Sequence, residues 1–238
     1  MLERQGNLKT SDSSDPPSRV IMTCLANGIS VYSPHTALDC VKDGVNDWLL
    51  EAFGTNSGAV YPINPTQCTD TGRDPEKEGE GRKMSLNSPL LLQQVIDRLK
   101  KHLKLSHVRV APAMHLLVAE KATEESVTQV AKAHQVHNIA VCAGSGGSIL
   151  TNAPEVDVWI TGEMSHHEVL AATAEGVSVI LTDHSNTERE YLPRLCQRVQ
   201  TALNDVHEST GDVESDNTED LPVSFQVTKL DADPLVIV

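Results

Sequence analysis

The sequence predicts an α/β fold, with mixed or largely parallel sheet flanked by helices. Three observations predict it. From His107 onward, short apolar runs of strand character alternate with amphipathic helical patterns. Polar or glycine-rich turns follow those runs, as at Gly144-Ser-Gly-Gly-Ser148. Hydrophobic residues are 39% of the chain but aromatics only 3%, so the core must be assembled from Leu, Val, Ile and Ala.

In order, residues 1–18 are polar and read as a disordered leader. Val20, Ile21, Cys24 and Leu25 then recur at helical spacing, and Gly28 supplies the stop. Ile29 to Tyr32 reads as a short strand feeding the loop Ser33-Pro-His-Thr-Ala-Leu-Asp39. Val45, Trp48, Leu49 and Phe53 mark one face of a helix over 44–53. Residues 54–87 are the least regular part, with a short strand near 59–61 and a mixed charge run from Glu76 to Lys83. Such a length reads as a variable loop rather than an ordinary connection. Asn87 or Ser88, with Pro89, is expected to open a helix that buries Leu91, Leu92, Val95, Ile96, Leu99 and Leu103.

The alternation follows. Strands are expected at 107–111, 114–118, 138–142, 156–160 and 177–181, with helices from Thr123, from Ser165 to Glu175, and from Asn186 to about Leu203. Residues 204–220 form an acidic loop, and Pro222 to Lys229 a last strand.

With 238 residues, the length suits one large domain or two small ones. A net charge of −14 argues against broad nucleic-acid or anionic-membrane binding, which needs basic surface. No apolar run approaches a membrane span, and the N-terminus carries no apolar secretory segment. Glu3, Asp12 and Asp15 match a mitochondrial presequence poorly. The five cysteines, 24, 40, 68, 142 and 196, contain no C-x-x-C pair, which points to a reducing compartment. A cytoplasmic location is expected, with nuclear or mitochondrial placement as alternatives.

The chemistry-bearing residues gather in three stretches. Leu181-Thr-Asp-His-Ser-Asn-Thr-Glu188 drops from a strand into His184 and Glu188, an imidazole and a carboxylate that suit zinc, iron or manganese. Ser185-x-x-Glu188 is equally a capping box, in which Glu188 would only secure a helix start. His35 and Asp39 sit four apart after a strand and could ligate, or Asp39 could cap the next helix. Thr161-Gly-Glu-Met-Ser-His-His167 offers Glu163 and His167, or simply a polar helix entry capped by Ser165. The glycine turn at 144–148 reads as close backbone packing, since it lacks the Lys of a Walker loop. Arg82, Lys83 and Arg109 read as ordinary surface or strand charges.

Tyr32-Ser-Pro-His-Thr-Ala-Leu-Asp39 with Gly44-Val-Asn-Asp-Trp-Leu49, then residues 140–148, 157–167 and 183–188, together resemble the NIF-three-like family, in its eukaryotic branch. These proteins are also described as homologues of a "type 2" GTP cyclohydrolase. The resemblance implies a NIF-three-like fold of two similar α/β lobes around a dinuclear metal centre, and assembly into homo-oligomers. It divides the domain 19–238 into a first-lobe remainder, 19–104, and a second lobe, 105–238. It implies Asp39, His184 and Glu188 as ligands of a divalent transition metal, zinc, iron or manganese, with His35, Glu163 and His167 lining the cleft as acid/base candidates. The family's N-terminal His-His-Pro segment has no counterpart: the adjacent histidines here are His166-His167, in the later block. A shortened first lobe is therefore expected, keeping three of five ligands. Two functions follow from the resemblance: a metal-dependent hydrolase of unspecified substrate, or a protein-interaction module acting in transcriptional regulation through partner proteins.

Overall fold

The computed structural model describes residues 15–67, 74–117, 123–209, 223–230 and 233–235. It divides into two compact units, residues 1–38 and residues 39–238.

In the first unit, helix α1 spans Pro16–Ala26 and begins four residues before Val20, the first of its apolar positions. Asp15 explains the early start. Its carboxylate accepts from the Ser18 N–H at 3.0 Å, and Pro16 and Pro17 occupy positions where a helix lacks hydrogen-bonded N–H groups anyway. No residue of α1 is buried. Residues 29–32, expected as a strand, form none. A single turn, α2 (Thr36–Cys40), follows.

The second unit holds a six-stranded sheet. Helix α3 (Val45–Leu50) continues into a 3-10 segment, Glu51–Asn56. Strands β1 (Ser57–Pro65) and β2 (Gly79–Leu91) form an antiparallel hairpin. The long β2 is the main departure from the expected loop over 54–87. Its charges hid its period, because Gly81, Arg82 and Met84 are all buried. Asn87 and Ser88 do not cap a helix. Asn87 donates to the Ser57 carbonyl at 2.9 Å, and the Ser88 hydroxyl donates to Asn56 Oδ1 at 2.8 Å. Helix α4 therefore starts later, at Leu92, and runs to Leu103 with Leu92, Val95, Ile96, Leu99 and Leu103 buried.

Strand β3 (Arg109–Ala111) is short, and Met114–Leu116 is a 3-10 turn where a strand was expected. Helix α5 (Glu124–Ala133) is capped by Thr123 as predicted. Then come β4 (Gln135–Ser145), the turn α6 (Gly147–Leu150), β5 (Val158–Glu163), α7 (His166–Ala174) and β6 (Ser178–Leu181). Helix α8 (Leu192–Ser209) starts six residues after Asn186. A helix from Asn186 would carry Pro193 in its interior, where the ring clashes with the preceding turn; starting at Leu192 puts Pro193 in the first turn, where it is tolerated. Residues 223–228 form no strand.

The strand order is β1-β2-β4-β5-β6-β3. Only β4-β5-β6 are parallel, so the sheet is mixed rather than largely parallel. Strands β1 and β2, which precede residue 104, and β4 to β6, which follow it, share this one sheet. The parallel strands are buried on both faces. Ala140, Cys142, Trp159, Val179 and Leu181 pack on one side with Leu150 and Ala172, while Ile139, Val141, Ile160 and Ile180 are equally inaccessible. Parallel pairing brings the carboxyl ends of β4, β5 and β6 to one edge of the sheet.

Candidate functional site

Ligands of open α/β sheets bind outside the carboxyl ends of parallel strands. Here those ends deliver Gly144, Glu163 and the turn after Leu181. The backbone after β6 holds to β5 through the Thr182 N–H, which donates to the Thr161 carbonyl at 3.1 Å. Asp183 then takes a left-handed conformation (φ +67°), and its carboxylate accepts from Arg109 Nη2 at 3.0 Å. This reversal presents His184.

His184 stands between two carboxylates. Its Nδ1 lies 2.7 Å from Glu163 Oε1, and its Nε2 lies 3.5 Å from Glu188 Oε1. All three side chains are about half exposed, at 49%, 53% and 46%, and so are open to a ligand. The hydrogen bond to the Glu163 carboxylate raises the His184 pKa above the usual imidazole value, with burial opposing and the charges of Glu188, Glu163 and Asp233 adding.

The turn is locked from beneath. The Gly144 N–H donates to Thr187 Oγ1 at 2.8 Å, and that hydroxyl donates to the His184 carbonyl at 2.7 Å. Gly162 is required by backbone-to-backbone packing. A Cβ there would lie 2.7 Å from the Gly144 oxygen, 2.7 Å from His184 Cα and 2.9 Å from the Asp183 oxygen. Gly144 (φ +67°) leaves a hollow: a Cβ there would sit 3.0 Å from both Glu188 Oε1 and His184 Nε2.

The capping box read at Ser185-x-x-Glu188 is not formed. The segment is two 3-10 turns, Ser185–Thr187 and Arg189–Tyr191, without a side-chain cap on the first, and the Ser185 hydroxyl donates to Asp233 instead. Glu188 is thus free of the structural duty that competed with ligation. Ser165 does cap α7, with Glu168 closing the box.

The other expected residues are placed as follows. Asp39 is half-buried, and its charge helps raise the thiol of Cys142, two residues before Gly144. Burial is the main cause there and pushes Cys142 to about 12, which makes it an inert thiol. His167 is exposed in the first turn of α7, 5.9 Å from the His166 ring. His35 is exposed with φ +38°, its Nδ1 3.0 Å from the Thr36 hydroxyl. The structure therefore brings together Glu163, His184 and Glu188.

The donor chemistry suits a divalent transition metal. A ligating imidazole characteristically gives its second nitrogen to a carboxylate, as His184 does to Glu163, and the Gly144 hollow adjoins the remaining donors. The count falls short of a full metal site: one imidazole and one carboxylate stand at the hollow, with Glu163 engaged on Nδ1. Among the described residues no group of three or more His, Cys, Asp or Glu side chains is arranged to hold a metal.

Sequence reading missed Arg82 and Asn46. Arg82 is 1% exposed rather than a surface charge. Its Nε donates to Asp47 at 2.6 Å, and its Nη groups to the carbonyls of Gly79, Gly81 and Val41. Asn46 is wholly buried.

The fold and cluster define a class: an α/β protein with an imidazole–carboxylate group at the ends of parallel strands. The profile of the Duf34/NIF3 (NGG1p interacting factor 3) family matches residues 6–218, and the chain belongs to that family. It is 36% identical over 229 residues to the protein NIF3 homolog of Schizosaccharomyces pombe, covering 96% of this chain and 71% of that protein. It is 37% identical over 187 residues to NIF3-like protein 1 of Drosophila melanogaster, covering 79% of this chain and 56% of that one. The chain thus spans between about half and three-quarters of these relatives. A solved Bacillus cereus protein related to NIF3 superposes with a TM-score of 0.68 over 98% of this chain and 80% of that one, at 18% identity, and shares the fold. No helix among the described residues is long and apolar enough to cross a membrane.

Proposed function

We propose that the chain is a metal-dependent, hydrolase-like protein whose reactive centre is built on His184 and Glu188; Asp39, the third ligand that the family resemblance implies, is not among the side chains the structure brings together with them. One observation carries this reading: the Glu163–His184–Glu188 arrangement beside the side-chain-free Gly144. A divalent zinc, iron or manganese ion held there would supply a Lewis acid. Glu163 accepts the Nδ1 proton, fixes the tautomer and orients Nε2 toward the hollow. The dinuclear form expected from the family is left out of this proposal, because the described donors do not supply it.

The test is metal content. The chain is purified without chelators, equilibrated with zinc, iron or manganese, and analysed by mass spectrometry. Uptake that falls about 10- to 100-fold in His184→Ala and Glu188→Ala is expected. A wild-type chain that stays metal-free overturns the reading.

A second reading rests on the family's description as an interacting factor: binding of a regulatory protein partner. It predicts that partner capture survives Asp39→Ala and His184→Ala but is lost when residues 204–220 are deleted. Most of that acidic stretch, 210–220, lies outside the described residues. Capture lost in the site variants and kept in the deletion overturns this reading.

A further inference from the structure

A cleft of about 290 Å³ opens between helix α7 and strand β3, the last strand of the sheet. Register builds its floor. Arg109 stands opposite Leu181 and Ala111 opposite Val179, and residues directly opposite in an antiparallel pair share a face. Val179 and Leu181 belong to the core, and Ala111, Met164 and Val169 pack against that core while staying partly exposed. His166 and Val169, three apart on α7, give the helical wall. The floor is therefore apolar. The side chains with hydrogen-bonding groups, Arg109 and His166, are exposed and form the rim. Among the described residues, no strand lies beyond β3 to close the cleft.

We propose that this cleft binds a small apolar monocarboxylate, with its hydrocarbon body on Ala111, Val169, Val179 and Leu181 and its carboxylate on Arg109. The guanidinium gives one Nη2 donor to Asp183 at 3.0 Å and, among the described residues, makes no other side-chain hydrogen bond. Its remaining N–H donors form a planar fork that matches the two oxygens of a carboxylate. Asp183 also sets the charge of the ligand. It offsets part of the guanidinium charge, so one negative charge is matched, whereas a dianion such as a phosphate would bring a second charge to a chain of net −14. The volume sets the size. It lies at the lower end of the range of about 300–1,000 Å³ that holds drug-sized ligands, which suits a single ring or a branched chain. The cleft shares no residue with the His184–Glu188 pair, and the proposal stands independently of metal binding.

The experiment is a chemical-shift titration of the full chain with 3-phenylpropionate. Two further probes keep its ring and change its head: 3-phenylpropanol, which is uncharged, and 2-phenylethyl phosphate. The carboxylate is expected to bind with a Kd of about 1 mM or tighter, and the alcohol about tenfold more weakly. Arg109→Leu should bring the carboxylate down to the level of the alcohol and leave the alcohol within about twofold. Asp183→Asn should act in the opposite direction. It frees the guanidinium, and asparagine tolerates the left-handed φ of +67° at that position, so carboxylate binding should tighten by about two- to fivefold. A pair with only a structural role would give no such gain. Val169→Phe fills the cleft and should weaken both the carboxylate and the alcohol; Ala111→Leu replaces it where the phenylalanine variant fails to fold. A wild-type chain that binds no carboxylate at about 10 mM overturns the proposal, as does an alcohol that binds as tightly as the carboxylate. Tighter binding of the phosphate overturns the monocarboxylate assignment. Self-association that disappears in Val169→Phe, in a wild-type chain that binds no probe, assigns the cleft to a second copy of the chain and overturns it too.

Discussion

The strand ends that carry His184 and the segment 15–38 are packed in opposite ways. At the strand ends, a single added Cβ at Gly162 would meet three backbone atoms within 2.9 Å. At Gly28 an added Cβ meets nothing within 4 Å, and α1 buries none of its residues, leaving Val20 63% and Leu25 60% exposed. Both regions contain glycines with φ of +67°, Gly144 and Gly28, so backbone conformation alone does not separate them. What separates them is contact. The strand ends are specified by neighbours distant in sequence, while the 15–38 segment follows local rules: a cap, two prolines and a terminal glycine.

The largest test of that contrast is Arg82→Ala. Removing one partner of a buried ion pair leaves the other uncompensated, at a typical cost of about 3–5 kcal/mol. Asp47 here is itself only 22% exposed, and several carbonyls lose their donor as well. Urea denaturation should show the loss; a change under about 1 kcal/mol would mean the clamp contributes little beyond its desolvation cost. Gly162→Ala comes next, at about 1–3 kcal/mol from overpacking, because the obstructing atoms are backbone and cannot swing aside. Gly28→Ala has open space and should lose only about 1–2 kcal/mol through its left-handed conformation. Equal losses at the two glycines would erase the contrast.

These differences also explain what was legible in the sequence. Helix α4 by its period, helices α5 and α7 by period and cap, and strands β4 to β6 as bounded apolar runs need no knowledge of the partner. Strand β2 was hidden because Arg82 is a buried charge, and burial of a charge depends on where Asp47 and three or more carbonyls arrive in space. Residues 29–32 have strand composition but find no strand to pair with. At the site, His184 and Glu188 were readable as a pair four residues apart. The role of Glu163 as the partner of Nδ1 depends on β5 and β6 being parallel neighbours in register, Thr161 opposite Leu181, which no local pattern states. Asn46 was invisible for the same reason, its partner Ala143 being 97 residues away.

A smaller effect distinguishes a buried titrating group from exposed ones. His102, in α4, stacks on Trp48 with ring centroids 4.6 Å apart, and burial lowers its pKa below the usual imidazole value. The unfolded chain therefore takes the proton first. The neutral histidine contributes its full stability above about pH 6.5, and that contribution is lost as pH falls through the lower folded value. The slope is at most about 1.4 kcal/mol per pH unit for one proton. His102→Phe keeps a ring against Trp48 and should flatten that part of the stability profile between pH 7.5 and 5; an unchanged profile would place the proton uptake elsewhere, with His134, whose pKa burial also lowers, the next group to substitute.

The smallest effect belongs to α1. Leu25 is an apolar residue in an amphipathic helix, as Leu99 is, but Leu99 is wholly buried and Leu25 is 60% exposed. Truncation of a largely exposed side chain changes stability by no more than about 0.5 kcal/mol. Leu25→Ala should therefore leave the urea midpoint almost unmoved, since alanine is also the better helix former. A loss of about 2 kcal/mol or more, the range for truncating buried leucine, would show that the apolar stripe of α1 is covered in solution. Dilution would then separate the two ways of covering it: a midpoint that falls with protein concentration points to a second copy of the chain, and a concentration-independent one to a contact within it.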